Sequence, residues 1–173
     1  MWLWRELYGL TKNYFEIFNL PEKFDIDLVL LQDNYREIQK KIHPDKFTTS
    51  TENEKIQSMI KSTQVNDAYQ TMKLPLKRAN YLISLHHETK KIILPPDFLM
   101  QQMEWEEYFE SIQAEKEKIN EFHKMIKDKK NDYSKLLQNQ IDQEEDWDAA
   151  AITVHKLQFV EQLVNKISQQ LLN

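Results

Sequence analysis

Few side chains in this sequence could do chemistry, and most of those few do not converge. The five histidines, His43, His86, His87, His123 and His155, show neither metal-ligand spacing nor a nucleophile–base arrangement. Cysteine is absent, which excludes disulfides, thiolate metal sites and cysteine nucleophiles. Gly9 is the single glycine, so no glycine-rich loop can cradle a phosphate. The chain is therefore not expected to be an enzyme, and no catalytic residue, metal ligand or cofactor is assigned to it. The concentrated polar group is His43-Pro44-Asp45, followed by Lys46-Phe47, between two stretches that both read as helices. Pro44 lacks a backbone donor and its ring disfavours helical geometry at His43, so the preceding helix should stop near Ile42. On its own the tripeptide is either a functional loop or a helix stop in which the His and Asp are incidental.

The elements around that turn follow from pattern and composition. A length of 173 residues allows one domain or two small ones, and 40% hydrophobic content is enough for a core. A single glycine argues against a turn-rich β architecture, so an all-α chain is expected. The formal charge of −5 provides no global field for nucleic acid or anionic membranes. No apolar run approaches the roughly 18 to 20 residues of a membrane span. Residues 1–13 hold Trp2, Leu3, Trp4, Leu7, Tyr8 and Leu10 but make poor signal or transit material, and read as a short packing segment or a start-site extension.

Tyr14 to Phe18 forms a short apolar helix that ends before Pro21. Asp27 is placed to cap a second helix whose apolar residues Leu28, Leu31, Tyr35, Ile38 and Ile42 repeat at helical steps. Arg36 and Lys40 lie one turn apart off that stripe, with Lys41 on its flank, and the acids Asp33 and Glu37 dilute them. Thr51-x-x-Glu54 reads as a capping box opening a third helix to about Lys73. Pro75 suits the first turn of a fourth, from Leu76 to about Leu85. Pro95-Pro96 closes a segment that should stay extended and marks the domain boundary. Beyond it the spacing predicts three long helices, over about 97–113, 116–141 and 144–172.

Taken together, these residues carry a resemblance. Tyr14-Phe15-x-x-Phe18-x-Leu20-Pro21, Tyr35-Arg36-x-x-Gln39 and His43-Pro44-Asp45-Lys46-Phe47 resemble a J domain, the co-chaperone module of seventy-kilodalton heat-shock chaperones. Val65-Asn66-Asp67-Ala68-Tyr69-Gln70-Thr71, Pro75-Leu76-x-Arg78-Ala79-x-Tyr81-Leu82, Phe98-Leu99-Met100 and Trp147-Asp148-Ala149-Ala150 narrow the likeness to the HscB family, the J proteins of iron–sulfur cluster assembly. The resemblance runs from about Asn13 to the C-terminus. Residues 1–13 have no counterpart in it, and the cysteine-bearing N-terminal metal module of some eukaryotic members is missing. It implies an N-terminal J domain over 14–86, a linker over 87–96 and a C-terminal three-helix client-binding domain over 97–173.

The same likeness implies a function. The chain would stimulate the ATPase of an HscA-like chaperone and deliver to it an IscU-like iron–sulfur scaffold, with neither nucleic acid nor membrane as partner. His43, Pro44 and Asp45 would form the trigger, with Arg36, Lys40 and Lys41 as docking charges. Asp45 offers a carboxylate for bidentate pairing with a partner Arg. Lacking a convincing transit peptide, the protein is expected in a bacterial cytoplasm rather than a mitochondrial matrix. The alternatives are a J-domain protein serving another client, or a helical adaptor in which the tripeptide is incidental.

Helical geometry adds one independent sign. At about 100° per residue, Phe98, Trp105, Tyr108, Phe109 and Ile112 fall on one side of their helix. Leu99, Met100 and Met103 fall roughly opposite, accompanied by Glu104 and Glu107. In the last helix Ile152, Phe159 and Leu163 lie off the stripe of Trp147, Ala150, Val154, Leu157, Val160, Val164, Ile167 and Leu171. If each bundle helix buries one stripe, the second sets are exposed protein-contact surfaces, unless the first domain or the linker covers them. The resemblance matches the scaffold-binding face to Leu99, Met100, Met103, Glu104 and Phe159, and the wheel extends it to Glu107.

Overall fold

The computed structural model describes residues 13–43, 51–86 and 92–172. Within them are seven helices and no strand: α1 (Tyr14–Ile17), α2 (Leu28–Ile42), α3 (Glu52–Lys73), α4 (Pro75–His86), α5 (Pro96–Ser111), α6 (Lys116–Asp142) and α7 (Trp147–Leu172). The chain divides into two units, Met1–Tyr81 and Leu82–Asn173. That division falls inside α4 rather than after residue 86. The last turn of α4 belongs with the second unit, where His86 stacks on Trp147 with ring centroids 4.3 Å apart.

In the first unit, local chemistry starts and stops each helix. Asn13 accepts from the Glu16 amide to open α1. Asp27 Oδ1 accepts from the amides of Val29 and Leu30, at 2.8 and 3.0 Å, and opens α2. Thr51 and Glu54 complete the expected capping box reciprocally: the Thr51 amide donates to Glu54 Oε2 at 2.9 Å, and Thr51 Oγ1 accepts from the Glu54 amide. Leu74 turns extended ahead of Pro75, which ends α3 and begins α4. The α2 stripe is buried at Leu31, Ile38 and Ile42 and half-buried at Tyr35, but Leu28, in the first turn, is 49% exposed.

One buried cation ties three segments of this unit together. Arg78 is 6% exposed and lies over the Phe24 ring. Its Nε donates to the Phe24 carbonyl at 2.7 Å and its Nη1 to the Met72 carbonyl at 2.5 Å. It thus holds α4 to the α1–α2 connection and to the end of α3. Arg78→Met keeps the volume and removes the donors, and should cost about 3 kcal/mol, since charge-assisted bonds vanish and buried carbonyls are left unmet. Thermal unfolding should show a midpoint lower by roughly ten degrees. An unchanged midpoint would mean that the guanidinium contributes packing alone.

The second unit is a three-helix bundle. Its core joins Phe98, Trp105, Phe109 and Ile112 of α5 and its C-cap to Ile119, Phe122 and Ile126 of α6 and Val160, Leu163, Val164 and Ile167 of α7. The helix expected from 144 starts at Trp147, because Glu145 sits in the left-handed region at φ 53. Asp146 then caps α7 by accepting from the Ala149 amide at 2.9 Å. Lys130 of α6 and Glu161 of α7 pair at 2.6 Å, and Lys166 of α7 pairs with Glu106 of α5.

The expectation of one buried stripe per helix fails for α7. Leu163, expected off the stripe, is 1% exposed and belongs to the core, and Ile152 is half-buried. Phe159 stacks on Trp105 with centroids 6.3 Å apart and meets Phe98 edge-on. The cause is geometric: α7 faces α5 on one side and α6 on the other, so it carries two adjacent apolar faces. Tyr108 departs in the opposite sense. Expected among the core residues of α5, it packs its edge on Phe122 yet remains 45% exposed.

Candidate functional site

The first candidate surface surrounds the end of α2. His43 caps that helix with φ −58 and ψ 131, the extended geometry that a following proline imposes, and its amide donates to the Gln39 carbonyl at 2.9 Å. The Ile42 carbonyl, which the broken helix would leave unmet, accepts from the buried hydroxyl of Ser58 on α3 at 2.6 Å. The chain therefore leaves α2 from a held position. Pro44, Asp45, Lys46 and Phe47 themselves lie outside the described residues.

The docking charges expected on α2 are solvent-exposed. Arg36 lies 3.9 Å from Asp33, and Lys40 pairs with Glu37 at 2.7 Å. The Lys40 hydrogen bond and charge, with a smaller contribution from Lys41, hold the Glu37 carboxyl below the usual range. Arg36, Lys40 and His43 line one open groove of about 690 Å³ with Tyr35, Gln39, Ser62 and Asn66. Lys41, also exposed, is not among its lining residues. The groove is braced across the helical hairpin. Tyr35 donates to Asn66 Oδ1 at 2.5 Å and stacks on Tyr69, and Ser62 donates to Gln39 Oε1 at 3.2 Å. The bracing role of Ser58 and Ser62 was missed in the sequence. Both fall on the buried side of α3 with Val65 and Met72, where a small hydroxyl among apolar residues is the available sign.

The second candidate surface is on α5. Leu99, Met100 and Met103 are 45, 63 and 64% exposed, so the bundle does not cover them. Glu104 and Glu107 are exposed beside them, and Gln101 Nε2 donates to Glu104 Oε2 at 3.0 Å. Phe159, matched to the same face, is instead half-buried between Phe98 and Trp105. It can present an edge at the side of the strip, but it is also core. A contiguous apolar strip with an acidic margin has the form of a protein contact, and methionine suits contacts that adapt in shape.

Among the described residues no cluster of histidines and carboxylates is placed to hold a metal, and no helix is long and apolar enough to cross a membrane. The described residues thus present an open groove lined by basic side chains on the first unit and an exposed apolar strip on the second.

Comparison with known proteins gives the same division. A family model described as the DnaJ domain matches residues 13–81, and one described as the HSCB C-terminal oligomerisation domain matches residues 94–168. The Co-chaperone protein HscB homolog of Shewanella oneidensis is 41% identical, covering 91% of this chain and 95% of the relative. Its counterpart in Vibrio cholerae is 38% identical over the same shares. Among solved structures, Chaperone HscB from Vibrio cholerae superposes with a TM-score of 0.83 at 39% identity, covering 91% of this chain and 96% of that one. The human co-chaperone protein HscB gives 0.86 at 28% identity, covering 94% and 84%. Matched by the DnaJ domain over its first unit and by the HSCB C-terminal domain over its second, with relatives about 40% identical over nearly their whole length, this chain belongs to the HscB family of J-domain co-chaperones.

Proposed function

We propose that this co-chaperone, whose partner as a J-domain protein is a seventy-kilodalton heat-shock-type chaperone, serves an HscA-like one and brings to it an IscU-like iron–sulfur scaffold. The observation that carries the reading is the exposed Leu99-Met100-Met103 strip on a unit other than the one bearing the trigger. Two separate docking surfaces let one chain hold a client and activate a chaperone at the same time. The chain contributes no thiolate, so the ligands of any cluster come from the scaffold. The site of action in this reading is the bacterial cytoplasm.

Each surface has a distinct task. His43, Pro44 and Asp45 form the trigger: Pro44 fixes the backbone, and Asp45 supplies a carboxylate for an arginine of the ATPase domain. Arg36, Lys40 and Lys41 steer the approach, contributing more to on-rate and orientation than to affinity. Glu104 and Glu107 do the same for the client, at the margin of the apolar strip. The direct test is binding of purified scaffold to the intact chain. Saturable binding is expected, and its absence with a correctly folded scaffold would direct the search to a different client.

The steering role has its own expected outcome. Arg36→Ala combined with Lys40→Ala should weaken chaperone stimulation by about three- to tenfold in half-maximal concentration, with the maximum nearly unchanged. Added salt should mimic the loss in the wild-type chain, because exposed charges are screened. Asp33 and Glu37 already offset part of the positive potential, so a complete loss is not expected. A defect of the same size at low and high salt would contradict steering.

A further inference from the structure

Where α5 meets α6 there is an open groove of about 500 Å³. Its floor is aromatic: Trp105 and Phe122 are 8% and 3% exposed. Tyr108 stands on Phe122 with ring centroids 5.1 Å apart, and the Met125 side chain of α6 forms the opposite wall. Tyr108 and Met125 both show more than a third of their surface to solvent, at 45 and 41%. Carboxylates bound the groove on both helices, Glu104 on α5, which accepts from the lining Gln101, and Glu121 on α6, and among the described residues no cationic side chain lines it. Lys118 of α6, which feels both Tyr108 and Glu121, is engaged by Glu115 at 2.6 Å.

An apolar trough between two carboxylates has a specific complement. A lysine or arginine can lay its aliphatic stem along the aromatic and thioether surface while its cation meets carboxylate, and an aromatic face adds attraction for the cation. A neutral apolar side chain would fill the floor but make no charge pair with either acid. An acidic one would be repelled. Glu104 also borders the Leu99-Met100-Met103 strip, so strip and groove are continuous around α5.

We propose that the α5–α6 groove receives a basic side chain of the client whose apolar surface docks on Leu99, Met100 and Met103. Glu121 and Met125 of α6 then belong to the client site together with α5. This rests on the client-binding reading above and adds to it a chemical requirement: the client must carry a lysine or arginine beside its apolar contact. It also adds to the ionic-strength dependence that Glu104 and Glu107 already give the strip.

The test is calorimetric titration of the full chain with a purified IscU-like scaffold, at low and at high salt. Glu121→Gln with Met125→Ala changes two exposed side chains and should leave the melting curve in place. The scaffold should bind this variant about tenfold more weakly at low salt and with a flatter salt dependence. Glu121→Lys alone should give a loss at least as large. Three results overturn the proposal in distinguishable ways. If both groove variants bind within about twofold of wild type while Leu99→Ala, Met100→Ala and Met103→Ala together eliminate binding, the groove is idle and the client face stands. If neither set changes binding, the client face falls with it. Dissociation of a wild-type dimer by the groove variants, seen by sedimentation with scaffold binding retained, would instead seat a second copy of this chain in the groove and contradict the proposal.

Discussion

Asp45→Asn is expected to abolish stimulation of the partner chaperone's ATPase while leaving the melting curve unchanged. The substitution preserves shape and removes charge, so it separates recognition from folding. The loop departs from a held end: Ser58 secures the Ile42 carbonyl and His43 is already extended. The apolar stripe of α2 ends at Ile42, so Asp45 lies outside that stripe in sequence and its charge is expected to matter little to folding. Recognition needs it fully. Removing one member of a desolvated charge pair costs about 2 to 5 kcal/mol, or roughly 30- to several-thousand-fold in affinity. Chaperone ATPase rates measured over a titration of the variant check this, and wild-type stimulation with an unchanged melting curve would contradict the trigger assignment.

Leu99→Ala, Met100→Ala and Met103→Ala together should eliminate binding of the scaffold with little loss of stability. Their exposure of 45 to 64% is the reason. Truncating three buried side chains would cost about 2 to 5 kcal/mol each and unfold a bundle of this size, whereas exposed changes cost a few tenths each. The same three can dominate binding, because the anchors of an interface carry most of its energy. Phe159 does not belong in this combination. Its stacking on Trp105 and Phe98 means that Phe159→Ala would lower stability and binding together. Scaffold affinity and the thermal midpoint should be measured on the triple variant. A folded variant that still binds places the client elsewhere, and an unfolded one would mean that the strip supports the bundle.

How much of this was legible in the sequence differs by element. The helix ends were, because their determinants are local: Asp27, the Thr51–Glu54 pair, Pro44 and Pro75 act on neighbours within one turn. The boundary near 144 slipped because Glu145 takes a left-handed conformation that nothing in its residue type demands. The exposed strip of α5 was also legible, since two apolar faces on one helix cannot both meet the same core. The same logic failed on α7, whose second apolar face is buried at Leu163 and half-buried at Ile152 and Phe159 because that helix lies against both neighbours. Leu163 and Phe159 were misplaced for that reason, and a helical wheel carries no information about how many partners a helix has. Contacts between distant residues were the least legible. Arg78 stood in a recognisable stretch, but its bonds to the Phe24 and Met72 carbonyls depend on tertiary placement. The groove between α5 and α6 likewise exists only once the two helices meet.

In the proposed function the chain couples a trigger on one unit to a client surface on the other. The most direct measurement is the steady-state ATPase of an HscA-like chaperone, titrated with this protein in the presence and absence of scaffold. The wild-type chain and scaffold together should stimulate more than the sum of their separate effects. The Leu99, Met100 and Met103 triple variant should retain the chain's own stimulation and lose the scaffold's added effect, whereas Asp45→Asn should lose both. Simple additivity in the wild type, or an equal loss of both effects in the triple variant, would contradict coupling through two separate surfaces.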